Sequence, residues 1–481
     1  MPTSPVRAVL EALSRDSRIR GGGSEATSFL MDLLYFGDFS VLEQVSSGEA
    51  FERVNLIGHK GPTTGPPLVL VSTVSTSVEP VPALWPSLEG DGLAARRSAN
   101  GARIHGLGAN GGKVDAVLKI LAGSRFRPEE LTRPLYVLAL SGEEAHGSGA
   151  RSIIETLASG GRALVNAPTN LRLWTDHPGC VSLRLTLTRR IRHRRMPPHA
   201  GFFEIRVQGR SAHALAPHAP EELDDALARG LQVLDALRRH GDVRVLSIDG
   251  GEAANRVPGR CVLRVATAFD TLPSLARFGP SVEASPIADG TALPFPIDAL
   301  FGAWLTGRDA GIAALEGRLG HLRNAPAARP ARSSWTGRLV SDRDAITGSL
   351  MLWTGPGVDT DDLCERFAQA VQSALTGQDE IEVQIDVVQD RPAFAGADGS
   401  EDFVQCARSA AGATGLTLEI GGGQFTTDAG LFRTHGFETL VFGPGGPLEA
   451  LYRDDESIEV QRLEAASAFY ERLIRDLCTT R

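Results

Sequence analysis

Apolar residues recur along this chain with two different periods, one typical of helices and one typical of strands. Residues 113–121 and 461–477 place apolar side chains three and four positions apart, which predicts amphipathic helices. The short apolar runs 68–74 and 135–140 are bounded by turn residues and predict buried strands. Strands and helices that alternate in this way favour an α/β domain with a mostly parallel sheet.

The pattern changes in the middle of the chain. Residues 182–188 and 202–207 alternate apolar and polar positions, as strands with one exposed face do, and a long helical pattern follows over 220–239. We therefore predict a smaller α+β domain inserted into the first one. The predicted bounds are residues 1–181 and 391–481 for the α/β domain and 182–390 for the inserted domain.

Residues 272–337 interrupt the pattern of the smaller domain with many proline, glycine and alanine residues. The sequence predicts one helix there, over residues 297–305. We interpret this segment as an insertion of unknown role.

Composition narrows the class of protein. The 481 residues are 42% hydrophobic and 22% charged, as is usual for a soluble globular protein. A formal net charge of −9 argues against a nucleic-acid or membrane partner, because both demand a basic surface. The first residues lack the apolar core of a signal peptide, and the five cysteines form no C-x-x-C motif. These features predict a cytoplasmic protein with reduced cysteines.

Eight segments, in register, resemble the co-catalytic zinc peptidase family of acetylornithine deacetylase, succinyl-diaminopimelate desuccinylase, aminoacylase and glutamate carboxypeptidase. The segments are LVLVSTVSTSVEPVP, GLGANGGKVDAVLKIL, LSGEEAHGSGA, VNAPTNL, VQGRSAHALAP, GGEAANRVPG, TTDAGLF and FGPGGPLEALYRDDESI. The resemblance covers nearly the whole chain apart from residues 272–337. It implies a catalytic domain that hydrolyses amide bonds and a smaller lid or dimerisation domain.

The resemblance also implies where metal ligands should lie. The family holds two zinc ions with five protein ligands, and this chain keeps only Glu144 among them. The other positions carry Ser75 for a His, Gly111 for the bridging Asp, Ala167 for an acidic residue, and Leu451 or Tyr452 for the second His. Zinc requires imidazole, carboxylate or thiolate ligands, and one carboxylate cannot hold an ion. We therefore predict no cofactor, with zinc as the alternative if residues such as His105, His146 and His177 rebuild the site.

Three further residues carry family roles. Glu143 stands at the general-base position, but a lone carboxylate without zinc has no activated water to deprotonate, so we favour a hydrogen-bonding role at its turn. His213 and Asn255 stand where the family binds substrate. They have a second interpretation, in which they cap a helix and a turn.

Two arginines that bind substrate carboxylates in the family are replaced in this chain. Trp353 stands at one of their positions and Gly430 at the other. The sequence therefore predicts that this mode of carboxylate recognition is lost.

Three other motifs leave alternatives open. Gly106, Gly108 and Gly111 fit G-x-G-x-x-G, although the polar segment before them favours simple turn glycines over a dinucleotide site. The basic run at residues 189–195 is interpreted as a solvated hairpin tip, with binding of an anion or acidic partner as the alternative. Ser141 could act as a nucleophile with a histidine base, although no G-x-S-x-G elbow is present.

Two hypotheses follow. The favoured one is a zinc-peptidase-like protein with a degenerate metal site that acts as a binding or scaffold homologue. The alternative is an amide hydrolase, a peptidase or N-acyl amino acid deacylase, with a remodelled or metal-independent site. A small peptide or acyl amino acid ligand and a homodimer or protein partner fit either hypothesis.

Overall fold

The computed structural model describes residues 4–16, 24–47, 52–74, 86–89, 94–142, 147–158, 160–190, 201–213, 224–254, 256–288, 296–315, 318, 334–396, 401–423, 425–446 and 455–480. The chain divides into two compact units. Unit 1 comprises Met1–Gly179 and Arg391–Arg481, and unit 2 comprises Cys180–Asp390.

The first part of unit 1 alternates helices and strands. Its elements are α1 (Pro5–Leu13), α2 (Glu25–Phe36), β1 (Ser40–Ser47), β2 (Glu52–Lys60), β3 (Leu68–Thr73), β4 (Arg96–Arg97), β5 (Arg103–His105), α3 (Gly112–Gly123), β6 (Leu135–Leu140), α4 (Ser148–Ile154), β7 (Arg162–Val165) and β8 (Leu173–His177).

Unit 2 follows as a largely antiparallel structure. Its elements are β9 (Gly179–Arg189), β10 (Gly201–Gln208), β11 (Ala212–His213), α5 (Ala226–His240), β12 (Val243–Gly250), β13 (Arg256–Val257), β14 (Arg260–Thr267), β15 (Val282–Pro286), α6 (Asp298–Ala314), β16 (Ser334–Ser341), β17 (Ala345–Thr354), α7 (Thr360–Ala374) and β18 (Ile381–Arg391).

The chain then returns to unit 1. The closing elements are β19 (Phe394–Ala395), α8 (Glu401–Ala413), β20 (Ile420–Gly422), α9 (Ala429–Thr434), β21 (Glu438–Val441), β22 (Ser457–Glu459) and α10 (Val460–Cys478).

The main sheet of unit 1 is mixed, which corrects the expectation of a mostly parallel sheet. Its strands lie in the order β1-β2-β6-β3-β7-β21-β8-β19, with β20 also paired to β8. The central strands β6, β3, β7 and β21 run parallel to one another, and β20 runs parallel to β8, whereas the other described pairs of this sheet are antiparallel. Strands β1 and β2 follow each other without an intervening helix and therefore pair antiparallel. The α/β class of this unit is confirmed.

Helix α3 lies against the sheet and helices α1, α2 and α10. Every residue of α3 except Leu121 is buried, because neighbouring elements cover it on all sides. The helical patterns predicted over residues 113–121 and 461–477 correspond to α3 and α10, each of which begins one residue earlier.

The sheet of unit 2 has the order β15-β10-β14-β12-β16-β17-β9-β18. The segment 272–337, interpreted above as an insertion of unknown role, contributes β15, α6 and the first half of β16 to this unit. Trp304 of α6 is fully buried in the core, and its indole nitrogen donates to the carbonyl of Leu185 at 3.0 Å. Gly348 makes room for this ring, because a Cβ there would lie 2.0 Å from it. The segment therefore has a structural role in unit 2.

The strands on either side of the basic run at residues 189–195 do not pair with each other as a hairpin, which corrects the prediction of a hairpin there. Strands β9 and β10 lie on either side of the run, but β14, β12, β16 and β17 separate them in the sheet. The Arg189 guanidinium donates to the carbonyl of Pro296 at 2.7 Å, which ties the end of β9 to the segment before α6. Residues 191–195 of the run lie outside the described residues.

Among the described residues, no helix is both long and apolar enough to cross a membrane.

Candidate functional site

The four parallel strands of unit 1 end on one side of the sheet, and the loops that follow them form what we call the carboxyl edge. Its described parts are residues 141–142 after β6, 166–170 after β7 and 442–446 after β21, together with the turn 106–112 that precedes α3. Loops at this position bind ligands in open α/β sheets. The carboxyl edge is therefore the first place to look for a site.

Asn110 and Glu456 tie these loops together. The backbone nitrogens of Asn110 and Gly108 donate to the Glu456 carboxylate at 2.6 and 3.0 Å. The Asn110 side-chain oxygen accepts from the backbone nitrogen of Gly446 at 3.0 Å. Burial raises the pKa of Glu456 to about 7, although the two backbone donors and Lys113 favour its charged form.

Glycines let these segments approach each other backbone to backbone. A Cβ on Gly112 would lie 1.9 Å from the carbonyl oxygen of Thr73, at the end of β3. A Cβ on Gly445 would lie 2.1 Å from the carbonyl oxygen of Asn110, and one on Gly443 would lie 2.3 Å from that of Ala167. None of these glycines can carry a side chain without movement of the backbone.

Two of the predicted metal-ligand positions lie within the described residues, and neither carries a side-chain donor. Gly111 precedes α3 with extended backbone angles, and a Cβ there would lie 3.3 Å from the Gly108 carbonyl oxygen. Ala167 is 2% exposed and belongs to an apolar cluster. At these two points the carboxyl edge offers only backbone groups.

The other predicted site residues cannot be placed in the same way. Outside the described residues lie Ser75, Glu143, Glu144, His146, Asn255, Leu451 and Tyr452. Strand β11 pairs with β13, so that the backbone of His213 lies opposite that of Arg256.

His177 is committed to hydrogen bonds within unit 1. Its Nδ1 lies 2.9 Å from the carbonyl oxygen of Pro178, and its Nε2 lies 3.0 Å from the Thr427 hydroxyl. Burial lowers the pKa of this imidazole to about 4, so the ring is neutral near pH 7. With Nδ1–H donating to the carbonyl, Nε2 accepts from Thr427.

Gly430 and Trp353, the two positions at which the resemblance predicts a lost arginine, are both buried. Gly430 in α9 is buried, and a Cβ there would lie 2.1 Å from the carbonyl oxygen of Pro392. An arginine therefore cannot be accommodated at this position. Trp353 in β17 is 3% exposed.

Directly beneath the carboxyl edge lies a buried polar group that we call the Asp115 cluster, formed by Ser72, Asp115, Lys119 and Tyr470. Asp115 accepts from the Ser72 hydroxyl at 2.6 Å and from the Tyr470 hydroxyl, and it pairs with the Lys119 ammonium at 2.6 Å. Lys119 also donates to the carbonyls of Val71 and Leu164 at 2.7 and 3.3 Å. The cluster thereby joins α3 and α10 to strands β3 and β7.

Sequence reasoning missed the Asp115 cluster. Asp115 and Lys119 are four positions apart, a spacing that usually indicates an ion pair on the surface of a helix. The signal that could have found the cluster is the apolar character of the remaining α3 sequence, GKVDAVLKILAG, which predicts burial on all sides.

The family model described as Peptidase family M20/M25/M40 matches residues 81–476, most of the chain. The chain belongs to this family. The predicted resemblance to co-catalytic zinc peptidases is thus confirmed at the level of the M20/M25/M40 family, which supports an amide hydrolase as the functional class.

Solved structures share the fold of this M20/M25/M40 chain at low sequence identity. The aminoacylhistidine dipeptidase of Vibrio alginolyticus superimposes with a TM-score of 0.56 at 13% identity, over 100% of this chain and 98% of that one. An M20 family metallo-carboxypeptidase of Sulfolobus solfataricus gives 0.58 at 10% identity, over 98% of each chain. Human carnosine dipeptidase 1 gives 0.55 at 10% identity, over 98% and 95%.

The prediction that this protein uses no cofactor is wrong, because the family to which it belongs uses zinc. M20 peptidases are typically dinuclear zinc enzymes, and the similar structure from Sulfolobus solfataricus is that of a metallo-carboxypeptidase, so the family points to zinc. The described residues do not supply the ligands that two zinc ions require. Gly111 and Ala167 provide no side-chain donor. The described side chains also contain no cluster of three or more His, Cys, Asp or Glu residues that could hold a metal ion.

Proposed function

We propose that this M20/M25/M40 protein binds a small peptide or acyl amino acid and does not hydrolyse it. The observation that carries the proposal is the pair Gly111 and Ala167, which leaves two family ligand positions of the carboxyl edge without a carboxylate. Hydrolysis of an amide needs an activated water and a group that stabilises the developing charge. Backbone groups packed against each other at these two positions can activate no water.

The geometry around Gly111 and Ala167 supports this proposal. The loops of the carboxyl edge contact one another at glycines. The side chains of Glu456 and Asn110 accept hydrogen bonds from backbone nitrogens of these loops. Gly430 excludes an arginine at the position where the family binds a substrate carboxylate. A ligand with an amide group but no free carboxylate fits these features best.

The test compares the wild-type protein with a Glu143→Gln variant, which removes the family base without changing its size. A panel of dipeptide amides and N-acyl amino acid amides, which carry no free terminal carboxylate, is incubated with each protein and added zinc, and binding is followed by calorimetry. We expect saturable binding of at least one compound to both proteins and no hydrolysis above the Glu143→Gln level.

Two results would contradict the proposal. One is hydrolysis by wild type that falls about 100-fold or more in the Glu143→Gln variant, as removal of a general base predicts. The other is the absence of saturable binding across the whole panel.

A second candidate is an amide hydrolase with a remodelled site. Family membership favours it, as does the retention of both Glu143 and Glu144. Hydrolysis that depends on Glu143 in the same experiment would establish this candidate in place of the first.

A further inference from the structure

His105 and Asp455 face each other in unit 1, in a group of polar residues that the proposed function does not use. His105 ends β5, directly before the turn 106–112 of the carboxyl edge, and Asp455 lies two residues before β22. Strand β5 is the centre of the three-stranded sheet β22-β5-β4. His105 is therefore on a strand that is held from both sides, as a precise binding site requires.

The imidazole of His105 has a nitrogen without a partner. Its Nδ1 atom is buried and has no hydrogen-bond partner among the described residues. The nearest carboxylate oxygen of Asp455 lies 3.8 Å away, which is too far for a hydrogen bond. Two ligand atoms of one tetrahedral zinc ion lie roughly 3.3–3.6 Å apart, because each is about 2.0–2.2 Å from the metal. A small movement of either side chain brings the two atoms to this separation.

The carboxylate of Asp455 is held in position by Ser87. The Ser87 hydroxyl donates to one carboxylate oxygen at 2.6 Å, and the backbone nitrogen of Ser87 donates to the other at 3.2 Å. Asp455 also has a left-handed backbone conformation with φ of 58°, which aspartate adopts more readily than most residues. Carboxylates that bind metals are commonly oriented by neighbouring donors of this kind.

The charges around the pair permit a cation. Arg96 lies opposite His105 on β4, and its guanidinium binds the Glu89 carboxylate at 2.8 Å, which offsets its positive charge. The side chains of His105 and Asp455 are 18% and 26% exposed, so an ion can reach them from solvent.

We propose that His105 Nδ1 and the Asp455 carboxylate bind one divalent transition metal ion of the Zn²⁺ class. An imidazole together with a carboxylate suits Zn²⁺, Co²⁺ or Ni²⁺, whereas Mg²⁺ and Ca²⁺ prefer oxygen ligands alone. The pair is smaller than the clusters of three or more ligands that are absent from the described side chains. Water completes the coordination, and we expect weaker binding than at a structural zinc site with four protein ligands.

An ion at this position joins the end of β5 to the segment before β22. The residue after Asp455, Glu456, already accepts hydrogen bonds from the backbone nitrogens of Gly108 and Asn110 in the turn 106–112. The ion adds a second connection between the same two segments and stabilises them. The site is independent of whether the protein hydrolyses its ligand.

The experiment titrates the full-length protein, dialysed first against a chelator, with Zn²⁺ alone and measures binding by calorimetry. We expect one ion per chain for wild type. His105→Gln and Asp455→Asn each remove a ligand and should weaken binding at least tenfold, whereas Ser87→Ala removes only an orienting donor and should weaken it less. His240→Gln is the matched control, because His240 is exposed at the end of α5, and it should bind as wild type does.

Two further measurements distinguish this site from the predicted family site. Glu144→Gln removes the retained family ligand and should leave the affinity for Zn²⁺ unchanged. Zn²⁺ should raise the midpoint of thermal unfolding of wild type and of Glu144→Gln, because an ion that binds only the folded state stabilises it. The same Zn²⁺ concentration should produce little shift in His105→Gln and Asp455→Asn.

The proposal is overturned if wild type binds Zn²⁺ with a Kd weaker than about 1 mM, or if neither His105→Gln nor Asp455→Asn weakens binding. Weakening by Glu144→Gln would also overturn it, since the ion would then be held at a family ligand position. Equal weakening by His240→Gln would show adsorption to surface histidines. Circular dichroism of each variant shows whether the fold is retained.

Discussion

The carboxyl edge and the Asp115 cluster lie next to each other in unit 1 and differ sharply in chemistry. At the edge, Gly111 and Ala167 occupy positions at which the sequence resemblance predicts carboxylate ligands, and the loops meet through backbone atoms. One layer below, Asp115 and Lys119 form a fully buried ion pair with further hydrogen bonds to strand carbonyls. The comparison shows that the buried charges that hold the strands in place, Asp115 and Lys119, are separate from the loop positions at which metal ligands are predicted.

The largest expected effect comes from the contact between α3 and β3. Gly112→Ala places a Cβ 1.9 Å from the Thr73 carbonyl oxygen, so helix and strand must separate. We expect a loss of about 4 kcal/mol or more in the free energy of unfolding, measured with urea.

Gly412→Ala is its control. Gly412 lies in α8, and a Cβ there meets nothing within 4 Å, so we expect stabilisation of about 0.5–1 kcal/mol. Equal effects of the two substitutions would show that contact with Thr73 does not restrict residue 112.

The next largest loss of stability is expected from substitutions in the Asp115 cluster. Asp115→Asn removes the charge that pairs with Lys119 and leaves a buried ammonium without its counter-ion, at a cost of about 3–5 kcal/mol. The double variant Asp115→Asn, Lys119→Met should recover part of that loss, since both charges are then removed together. Strictly additive losses would show that the two residues are not coupled.

The contribution of Glu456 to the free energy of unfolding depends on pH. Its pKa is about 7 in the folded protein and about 4.5 as a model value, so the folded state holds the proton between these values. This group therefore stabilises the fold fully below pH about 4.5, and the contribution is lost as the pH rises through 7. Glu456→Gln should lose about 3 kcal/mol relative to wild type as the pH falls from 7 to 4.5.

His177 has the opposite dependence. Its pKa falls from the model value of 6.5 to about 4 in the folded state, so the unfolded state takes up the proton first and stability declines as the pH falls through this range. In wild type the two contributions offset each other, whereas the Glu456→Gln curve should show the decline alone. Parallel unfolding curves for the two proteins from pH 4.5 to 7 would contradict the assignment to Glu456.

The smallest effect is expected at the edge itself. Gly111→Asp adds a side chain whose Cβ lies 3.3 Å from the Gly108 carbonyl oxygen, a tight contact that a small shift relieves. We expect a change of less than about 1 kcal/mol by urea unfolding. A loss as large as that of Gly112→Ala would mean that the edge and the layer beneath it are equally constrained.

Sequence periodicity located α3 and α10 to within two residues at each end, because their apolar spacing depends only on local geometry. It missed β1, whose sequence SVLEQVSS has few apolar positions and leaves much of its surface exposed. It also placed the run 189–195 in a hairpin, because β9 and β10 are neighbours in sequence although four strands separate them in the sheet. Strand order depends on long-range pairing that no local pattern contains.

The candidate site, too, could be predicted only in part from the sequence. The identities of Gly111 and Ala167 were available from the sequence, but the reason that Gly430 excludes an arginine, a contact with the Pro392 carbonyl, required coordinates. The hydrogen bond between His177 and Thr427 likewise joins residues 250 positions apart in the chain.

The pairing of β8 with β19 indicates how unit 2 could be removed from the chain. His177 and Phe394 are register partners in adjacent antiparallel strands, although the chain between them forms unit 2. In a hairpin, two to five residues suffice to join strands in this relation. Unit 2 thus occupies the place of a hairpin loop, and a shortened gene that replaces it with a tight turn would encode a continuous α/β layer with its strand order intact.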